Sequence, residues 1–83
     1  MRPILLKGHE RSITYVSYSQ DGDLIFTASK DNVPTVWDAK SGERMGTYNG
    51  HQGAVWDMDT NKFCSRVLTA SADATVKLWY VYI

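Results

Sequence analysis

Apolar and polar positions along the chain form short segments of four to seven residues that are rich in β-branched and aromatic side chains. Turn-forming pairs separate these segments, among them Asp21-Gly22, Ser41-Gly42 and Asn49-Gly50. Because no segment keeps a 3.6-residue apolar period, we expect no helix longer than one turn. The pattern predicts β-strands near residues 3–7, 12–18, 23–29, 33–38, 43–48, 54–59, 66–71 and 75–80.

Two of the predicted strands contain runs that do not alternate cleanly between apolar and polar residues, Leu24-Ile25-Phe26 and Arg66-Val67-Leu68. A nearly continuous apolar strand is typical of a sheet that is buried on both faces. The outer faces of a two-layer sandwich are wet, whereas each blade of a propeller packs between two neighbours. The pattern therefore favours stacked blades.

The sequence also repeats itself at an interval of 42 residues, with no insertion between the two copies. A repeat of this length that opens with Gly-His and ends with Trp is typical of one four-stranded propeller blade. The repeated positions are Gly8-His9 and Gly50-His51, Thr27-Ala28-Ser29 and Thr69-Ala70-Ser71, Asp31 and Asp73, and Trp37 and Trp79.

The phase of the repeat divides residues 1–83, a single repeat region, into three parts. Residues 1–7 form a leading closure strand, residues 8–49 form repeat one, and residues 50–83 form repeat two, which is truncated after its third strand. We therefore predict an all-β fold of two four-stranded antiparallel blades, the second lacking its outer strand, and thus a partial propeller. Because the leading strand and the missing strand are complementary, we also expect that copies of the chain can associate head to tail.

Composition favours neither a nucleic-acid nor a membrane partner. Nine basic and nine acidic residues are scattered along the chain, so its formal net charge is zero. Tyr15 and Trp56 have no basic groove beside them, and no stretch approaches the ~18 uncharged residues of a membrane helix. Cys64 is the single cysteine, which excludes an intramolecular disulfide. These features favour a soluble, cytoplasmic protein.

One set of polar residues occurs once in each repeat and can form a chain of hydrogen bonds. An ionised Asp accepts from one imidazole nitrogen, the other imidazole nitrogen accepts from a Thr hydroxyl, and the Thr oxygen accepts from an indole N–H. A hydrolase with Thr27 or Thr69 as nucleophile is the alternative, but an active site is needed once whereas a structural brace recurs in every blade. The predicted structural network comprises His9, Thr27, Asp31, Trp37, His51, Thr69, Asp73 and Trp79.

The sequence predicts no metal site and no cofactor. His9 and His51 lie in different repeats, neither has a second ligand two to four residues away, and Cys64 has no cysteine partner. We also expect no catalytic residue. Candidate contacts with a protein partner lie where tight turns meet the strands, at Arg11, Lys30, Gln52 and Asp57.

Gly-His, a Ser or Thr four residues before an Asp, and a Trp six residues after that Asp recur with the 42-residue period. In this respect the chain resembles the WD-repeat family of β-propellers, and the resemblance implies that the eight network residues brace the two blades. Two positions depart from the pattern, because Pro34 stands in the third strand of repeat one and Tyr80 replaces the Asp that follows Trp37.

Residues 1–11 and the segments Gly46-Thr47-Tyr48 and Gly53-Ala54-Val55-Trp56 are also similar to the beginning of the WD-repeat subunits of eukaryotic translation initiation factor three. This resemblance implies a cytoplasmic, non-enzymatic scaffold that acts in translation initiation. Its partners would be other initiation factor subunits and, through them, the small ribosomal subunit. The alternative is a WD-repeat adaptor of another pathway, such as kinase-receptor-associated signalling or RNA–protein assembly.

Overall fold

The chain folds into two antiparallel sheets, and the computed structural model describes residues 3–61 and 65–81. The first sheet, blade one, has the order β1-β2-β3-β4, and the second, blade two, has the order β5-β6-β7. Within the described ranges there is no helix, and therefore none that is long and apolar enough to cross a bilayer. The strands are β1 (Ile13–Tyr18), β2 (Leu24–Ser29), β3 (Thr35–Asp38), β4 (Arg44–Thr47), β5 (Val55–Thr60), β6 (Arg66–Ser71) and β7 (Val76–Tyr80).

The two blades share their local irregularities as well as their strand order. The pairing of β1 with β2 shifts register between Ile13 and Tyr15, and that of β5 with β6 shifts between Val55 and Asp57. The two bulges lie at equivalent positions of the repeat, although Ile13-Thr14-Tyr15 and Val55-Trp56-Asp57 have no residue in common. The predicted all-β class, with a second blade that lacks an outer strand among the described residues, is confirmed.

One predicted strand, at residues 3–7, is wrong as a strand. By the 42-residue repeat this segment corresponds to the end of β4, whose ladder partner is the third strand of the same blade. As a strand, residues 3–7 would pair with the third strand of a blade that precedes blade one. The described residues contain no such strand, and residues 3–7 form no ladder. They lie instead on the turn between β3 and β4, where a Cβ added to Gly42 would lie 2.5 Å from Ile4 Cγ2.

Pro34 shortens the third strand of blade one. The prediction placed a strand at 33–38, but β3 begins at Thr35, which pairs with Thr27. In blade two the equivalent ladder continues by one more pair, between Ala70 and Val76. Proline has no N–H to donate to a ladder, which explains the missing pair. The carbonyl oxygen of Pro34 still forms a hydrogen bond, which it accepts from the Tyr48 amide at 2.8 Å.

The hydrophobic core lies between the two blades rather than inside either one. We call the side of blade one that carries Phe26, Ala28 and Val36 its trailing face. We call the side of blade two that carries Val55, Met58 and Val67 its leading face. All six side chains are at most 3% exposed and belong to one cluster. The two sheets therefore bury each other's apolar surface.

The prediction of burial on both faces is wrong for blade two. Val67 is fully buried, but its neighbour Leu68 points to the opposite side of the sheet and is 44% exposed. Successive strand residues face opposite sides, and blade two has a described neighbour on one side only. In blade one Phe26 is buried, whereas Leu24 and Ile25 are half-buried.

Tyr48 follows β4 and reaches between the blades. Its ring centroid lies 5.4 Å from that of Trp79, and the side chain is 7% exposed. Burial raises the pKa of Tyr48 to about 12. Within the described residues its hydroxyl has no hydrogen-bond partner. The ring therefore fills the core at the expense of an unsatisfied polar atom.

Candidate functional site

The first network joins four side chains that come from four different parts of blade one. Trp37 Nε1 donates to Thr27 Oγ1 at 2.8 Å, and that oxygen lies 2.6 Å from His9 Nε2. His9 Nδ1 lies 2.8 Å from Asp31 Oδ2, which also accepts the Glu10 amide at 3.1 Å. The loop before β1, the strand β2, the turn after it and the strand β3 are thereby connected.

The second network repeats the first in blade two. Trp79 Nε1 donates to Thr69 Oγ1 at 2.9 Å, and Thr69 Oγ1 lies 2.6 Å from His51 Nε2. His51 Nδ1 lies 3.1 Å from Asp73 Oδ2, which accepts the Gln52 amide at 2.8 Å. The structure thus brings together all eight residues of the predicted network, four in each blade.

One arrangement of the protons gives every polar group in each network a partner. An indole nitrogen can only donate, so Thr27 Oγ1 accepts from Trp37 and directs its own proton to His9 Nε2. An imidazole that accepts at Nε2 carries its proton at Nδ1, where it donates to Asp31. In this arrangement each histidine carries a proton on Nδ1, and every side-chain polar group of the two networks has a partner.

The carboxylates at the ends of the two networks stay charged at neutral pH. Burial is the largest single influence on the pKa of Asp31, and it favours the neutral acid. The hydrogen bonds from His9 and from two backbone amides favour the carboxylate and together outweigh burial, so the pKa of Asp31 lies below its ordinary value. The Thr75 hydroxyl, followed by the Gln52 amide, holds the pKa of Asp73 well below its ordinary value. Both groups are therefore permanent acceptors in the physiological range.

A serine in each blade extends the network, and sequence reasoning did not assign it a role. Ser29 Oγ accepts the Asp31 amide at 3.1 Å and donates to the Arg11 carbonyl at 3.2 Å. Ser71 makes the same two bonds in blade two, at 3.2 and 3.0 Å. The signal was present, because this serine recurs with the 42-residue period beside the network threonine.

Thr75 adds a bond that blade one lacks. Its hydroxyl donates to Asp73 and lies 3.3 Å from His51 Nδ1. The equivalent residue of repeat one is Val33, which offers only its backbone amide to the carboxylate. Because Thr75 occurs in one repeat only, the repeat pattern could not reveal it.

Neither network offers a nucleophile to a substrate. Thr27 is 5% exposed and Thr69 is 1% exposed, and each hydroxyl already contacts an indole and an imidazole. The described residues contain no group of three or more His, Cys, Asp or Glu side chains that could hold a metal ion. Cys64, also considered as a ligand, lies outside the described residues.

A polar groove of about 390 Å³ lies where the loops of the two blades meet, and we call it the rim groove. Three of the four predicted partner residues line it, namely Arg11, Lys30 and Gln52. Lys30 also places its ammonium group 5.8 Å from the centroid of the Trp56 ring, which belongs to the other blade. Asp57 is not in the groove, because the bulge in β5 places it opposite Ala70 on the far side of blade two. The full lining of the rim groove is Glu10, Arg11, Lys30, Asp31, Asn32, Gln52, Gly53 and Ala54.

The sequence model of one protein family matches both repeats. The family is described as WD domain, G-beta repeat, and its matches cover residues 3–38 and 42–80. The first match ends at residue 38 and the second begins at residue 42.

Several curated relatives carry the name eukaryotic translation initiation factor 3 subunit I. The relative from Xenopus laevis is 58% identical over 79 residues, that from Eremothecium gossypii 54% over 81, and that from Drosophila grimshawi 53% over 81. The alignments cover 95%, 98% and 98% of this chain. They cover 24%, 23% and 25% of the relatives, so the chain spans about a quarter of their length.

A solved structure has the same arrangement of strands. The computationally designed Ika4 protein superposes on this chain with a TM-score of 0.80 and 28% sequence identity. The superposition covers 93% of this chain and 46% of the designed one.

Proposed function

Because the chain belongs to the WD domain, G-beta repeat family, we propose that it is a non-enzymatic scaffold module that binds other proteins. The observation that carries the proposal is the family match across both repeats, residues 3–38 and 42–80. Within the module, the rim groove lies where the loops of the two sheets meet. Arg11 and Lys30 give it two cationic side chains, and Gln52 gives it a side-chain amide. These three side chains are our proposed contacts with the partner. Asp57 lies on a different surface.

The names of the relatives indicate the partner class. Relatives that are 53–58% identical over nearly the whole chain are named as a subunit of a eukaryotic translation initiation factor. We therefore propose that the chain is part of such a subunit in the cytoplasm. Its direct partners would be other initiation factor subunits, and it would reach the small ribosomal subunit through them. The chain spans about a quarter of the relatives, so the proposal concerns the part that they share with it.

The hydrogen-bond networks support a structural rather than a catalytic role for the repeated residues. Each network ties the loop before a first strand to the second and third strands of the same blade. Their hydroxyls are buried, and the same arrangement occurs twice with nearly equal distances. We propose that the networks hold each blade in the shape on which the rim groove depends.

A pull-down from a eukaryotic cell extract tests the partner assignment. The tagged chain should retain initiation factor three subunits, identified by mass spectrometry, and Lys30→Glu should lower their recovery several-fold. Lys40→Glu is the matched control, because it makes the same charge change at an exposed lysine outside the rim groove.

The outcome also discriminates between the alternatives. Recovery of signalling or RNA-assembly proteins without any initiation factor subunit would overturn the translation assignment and leave a WD-repeat adaptor. Equal recovery with Lys30→Glu and Lys40→Glu would overturn the rim groove as the contact.

An activity screen tests the non-enzymatic part of the proposal. We expect the purified chain to hydrolyse neither ester nor peptide substrates above a buffer control. Hydrolysis that is present in the parent chain and lost in a folded Thr69→Val variant would contradict this part alone.

A further inference from the structure

The chain contains three asparagines, which differ in the residue that follows them. An asparagine side chain can be attacked by the main-chain nitrogen of the next residue, and this closes a succinimide ring. A side chain on that next residue hinders the attack, and glycine has none. The three pairs are Asn32-Val33, Asn49-Gly50 and Asn61-Lys62. Residue type alone therefore makes Asn49 the most reactive of the three.

The structure leaves the link between Asn49 and Gly50 free to react. Both residues are exposed and follow β4 outside any strand. Within the described part of the chain, neither of their amides donates a hydrogen bond. The Asn49 side chain makes one bond, from Nδ2 to Thr47 Oγ1 at 3.2 Å. Ring closure at this position therefore requires only that one long hydrogen bond be broken.

The other two asparagines are held by shorter hydrogen bonds. The nitrogen that would attack Asn32 is the Val33 amide, which donates to Asp31 Oδ1 at 3.1 Å. Asn61 Oδ1 accepts the Ser65 amide at 2.9 Å, and Asn61 Nδ2 donates to Ser65 Oγ at 2.9 Å. Because these bonds must break before a ring can close, the fold protects both side chains.

Asp21-Gly22 is the other pair in which glycine follows a residue that can form this ring. Here the Gly22 amide donates to the Ser19 carbonyl at 3.0 Å. The Ser19 hydroxyl, followed by the Asp23 amide, holds the pKa of Asp21 below its ordinary value. An ionised carboxylate is a poor target for a nucleophile, so this pair should stay intact.

Packing explains why a glycine stands at position 50. A Cβ added to Gly50 would lie 3.1 Å from the ring of Trp79, and the glycine at the same place in repeat one has the same contact with its own tryptophan. The residue before this glycine is not fixed by the repeat, since it is Lys7 in repeat one and Asn49 in repeat two. The reactive pair therefore arises because an asparagine precedes a glycine that the packing requires.

We propose that Asn49 is a site of spontaneous modification that converts it to isoaspartate. The Gly50 nitrogen bonds to Asn49 Cγ, the bond from Cγ to Nδ2 breaks, and Nδ2 leaves as ammonia with the proton of the Gly50 amide. Water then opens the ring. Its addition to the main-chain carbonyl of residue 49 gives isoaspartate, in which the chain runs through Cβ and Cγ. Its addition to Cγ gives ordinary aspartate. The modification does not depend on the role in translation.

The extra main-chain carbon of isoaspartate falls between two fixed residues. Tyr48 is 7% exposed between the blades, and its amide donates to the Pro34 carbonyl at 2.8 Å. His51 is 3% exposed and is held by Thr69 and Asp73 in the second network. A longer link must displace one of these two side chains, so isoaspartate destabilises the contact between the blades. Aspartate leaves the length of the link unchanged.

Ageing of the purified 83-residue chain tests the site. The chain is kept at mildly alkaline pH, which speeds ring closure, both folded and in urea, and each asparagine is followed by mass spectrometry of tryptic peptides. Asn49 and Asn61 lie in one tryptic peptide, residues 45–62, so Asn61 is an internal control. Folding should slow the reaction of Asn32 and Asn61 by about fivefold or more, and that of Asn49 by less than about twofold.

Two variants separate the new backbone from the new charge. Asn49→Lys gives repeat two the residue of repeat one and cannot form the ring, whereas Asn49→Asp has the charge of the product with an ordinary backbone. In urea titrations the aged parent chain should contain a less stable population. Its fraction should equal that of isoaspartate, measured with an isoaspartyl methyltransferase and S-adenosylmethionine. Aged Asn49→Lys should contain no such population, and fresh Asn49→Asp should unfold like the fresh parent.

A rate at Asn49 that folding slows as much as the rate at Asn32 would overturn the assignment of the site. Reaction at Asn61 while Asn49 stays unchanged would do the same. An isoaspartate population that unfolds at the same urea concentration as the fresh parent would overturn the structural consequence.

Discussion

The Thr69 hydroxyl is the central atom of the second network, because it connects the Trp79 indole to the His51 imidazole. Replacing it by a methyl group of similar size leaves the indole N–H and the imidazole nitrogen without a partner. Buried groups that lose their partner cost about 1–3 kcal/mol. We therefore expect Thr69→Val to lower the free energy of unfolding by about this amount in urea titrations.

Thr47→Val is the matched control for that measurement, because Thr47 is an exposed strand residue outside both networks. It should change stability far less than Thr69→Val. Equal midpoints for Thr69→Val and the parent chain would show that the network does not brace the blade.

Tyr48 gives a prediction with a defined pH range. Its folded-state pKa of about 12 lies above the ordinary value of 10.0, so the unfolded chain releases the phenol proton first as the pH rises. The free energy of unfolding should therefore fall between about pH 10 and pH 12. Tyr48→Phe should remove that part of the decline and, by deleting an unpartnered hydroxyl, raise stability at pH 7 by about 1 kcal/mol.

Urea unfolding at pH 7 and pH 11 measures both effects of Tyr48→Phe. Tyr18→Phe is the control, since Tyr18 is 68% exposed and its hydroxyl is open to water. A pH dependence that is the same in both variants would assign the alkaline decline to other groups.

How far single residues can be predicted from the sequence depends on whether they recur. The eight network residues could be predicted because they repeat, and each type has a definite donor or acceptor role. Thr75 could not, because it occurs in one repeat only. Asp57 was predicted together with Arg11 and Lys30, but the bulge between Val55 and Asp57 decides which side of the sheet it faces. A backbone irregularity of that kind leaves no mark in residue type.

At the scale of the elements, the segment 3–7 shows what local pattern cannot decide. Its apolar residues predict a strand, but a strand forms only where another strand edge offers its N–H and C=O groups. Ile4 and Leu6 contact the position of Gly42 instead. The seven strands that have a partner edge were each predicted to within two residues of their observed bounds.

Two glycines test whether the segment packs on this turn. Gly22 and Gly42 both have positive φ, 80° and 76°, so an alanine is strained at either position. An added Cβ at Gly22 meets nothing within 4 Å, whereas at Gly42 it meets Ile4. Gly42→Ala should therefore lower the free energy of unfolding by about 1–3 kcal/mol more than Gly22→Ala.

Adding Ile4→Ala to Gly42→Ala removes the clashing methyl group and should recover most of the difference between the two glycine variants. Equal destabilisation by Gly22→Ala and Gly42→Ala would place residues 3–7 away from the turn. Thermal unfolding followed by circular dichroism is sufficient to rank the three variants.

At the scale of the whole molecule, the two blades should unfold together because neither contains a core of its own. Met58 contributes to the shared core from blade two and is 3% exposed. Met58→Ala should lower stability by about 2–5 kcal/mol, and the loss should appear equally in both sheets. Native-state hydrogen exchange checks this through the amides of β2 and β6.

Met45→Ala is the control for the exchange measurement, since Met45 is 42% exposed on the outer strand of blade one. A Met58→Ala variant that loses protection in β6 while β2 keeps it would show that the blades are independent units.

The position of the core between the sheets also has a consequence for synthesis. Phe26 of blade one belongs to the same buried cluster as residues of blade two, the last of which is Val67, about 40 residues later in the chain. At roughly 5–20 residues per second, a ribosome needs about 2–8 s to extend the chain by that length. During that interval the nascent first blade has its strands but not its cover, so binding of a chaperone to the growing chain should be strongest before Val67 emerges.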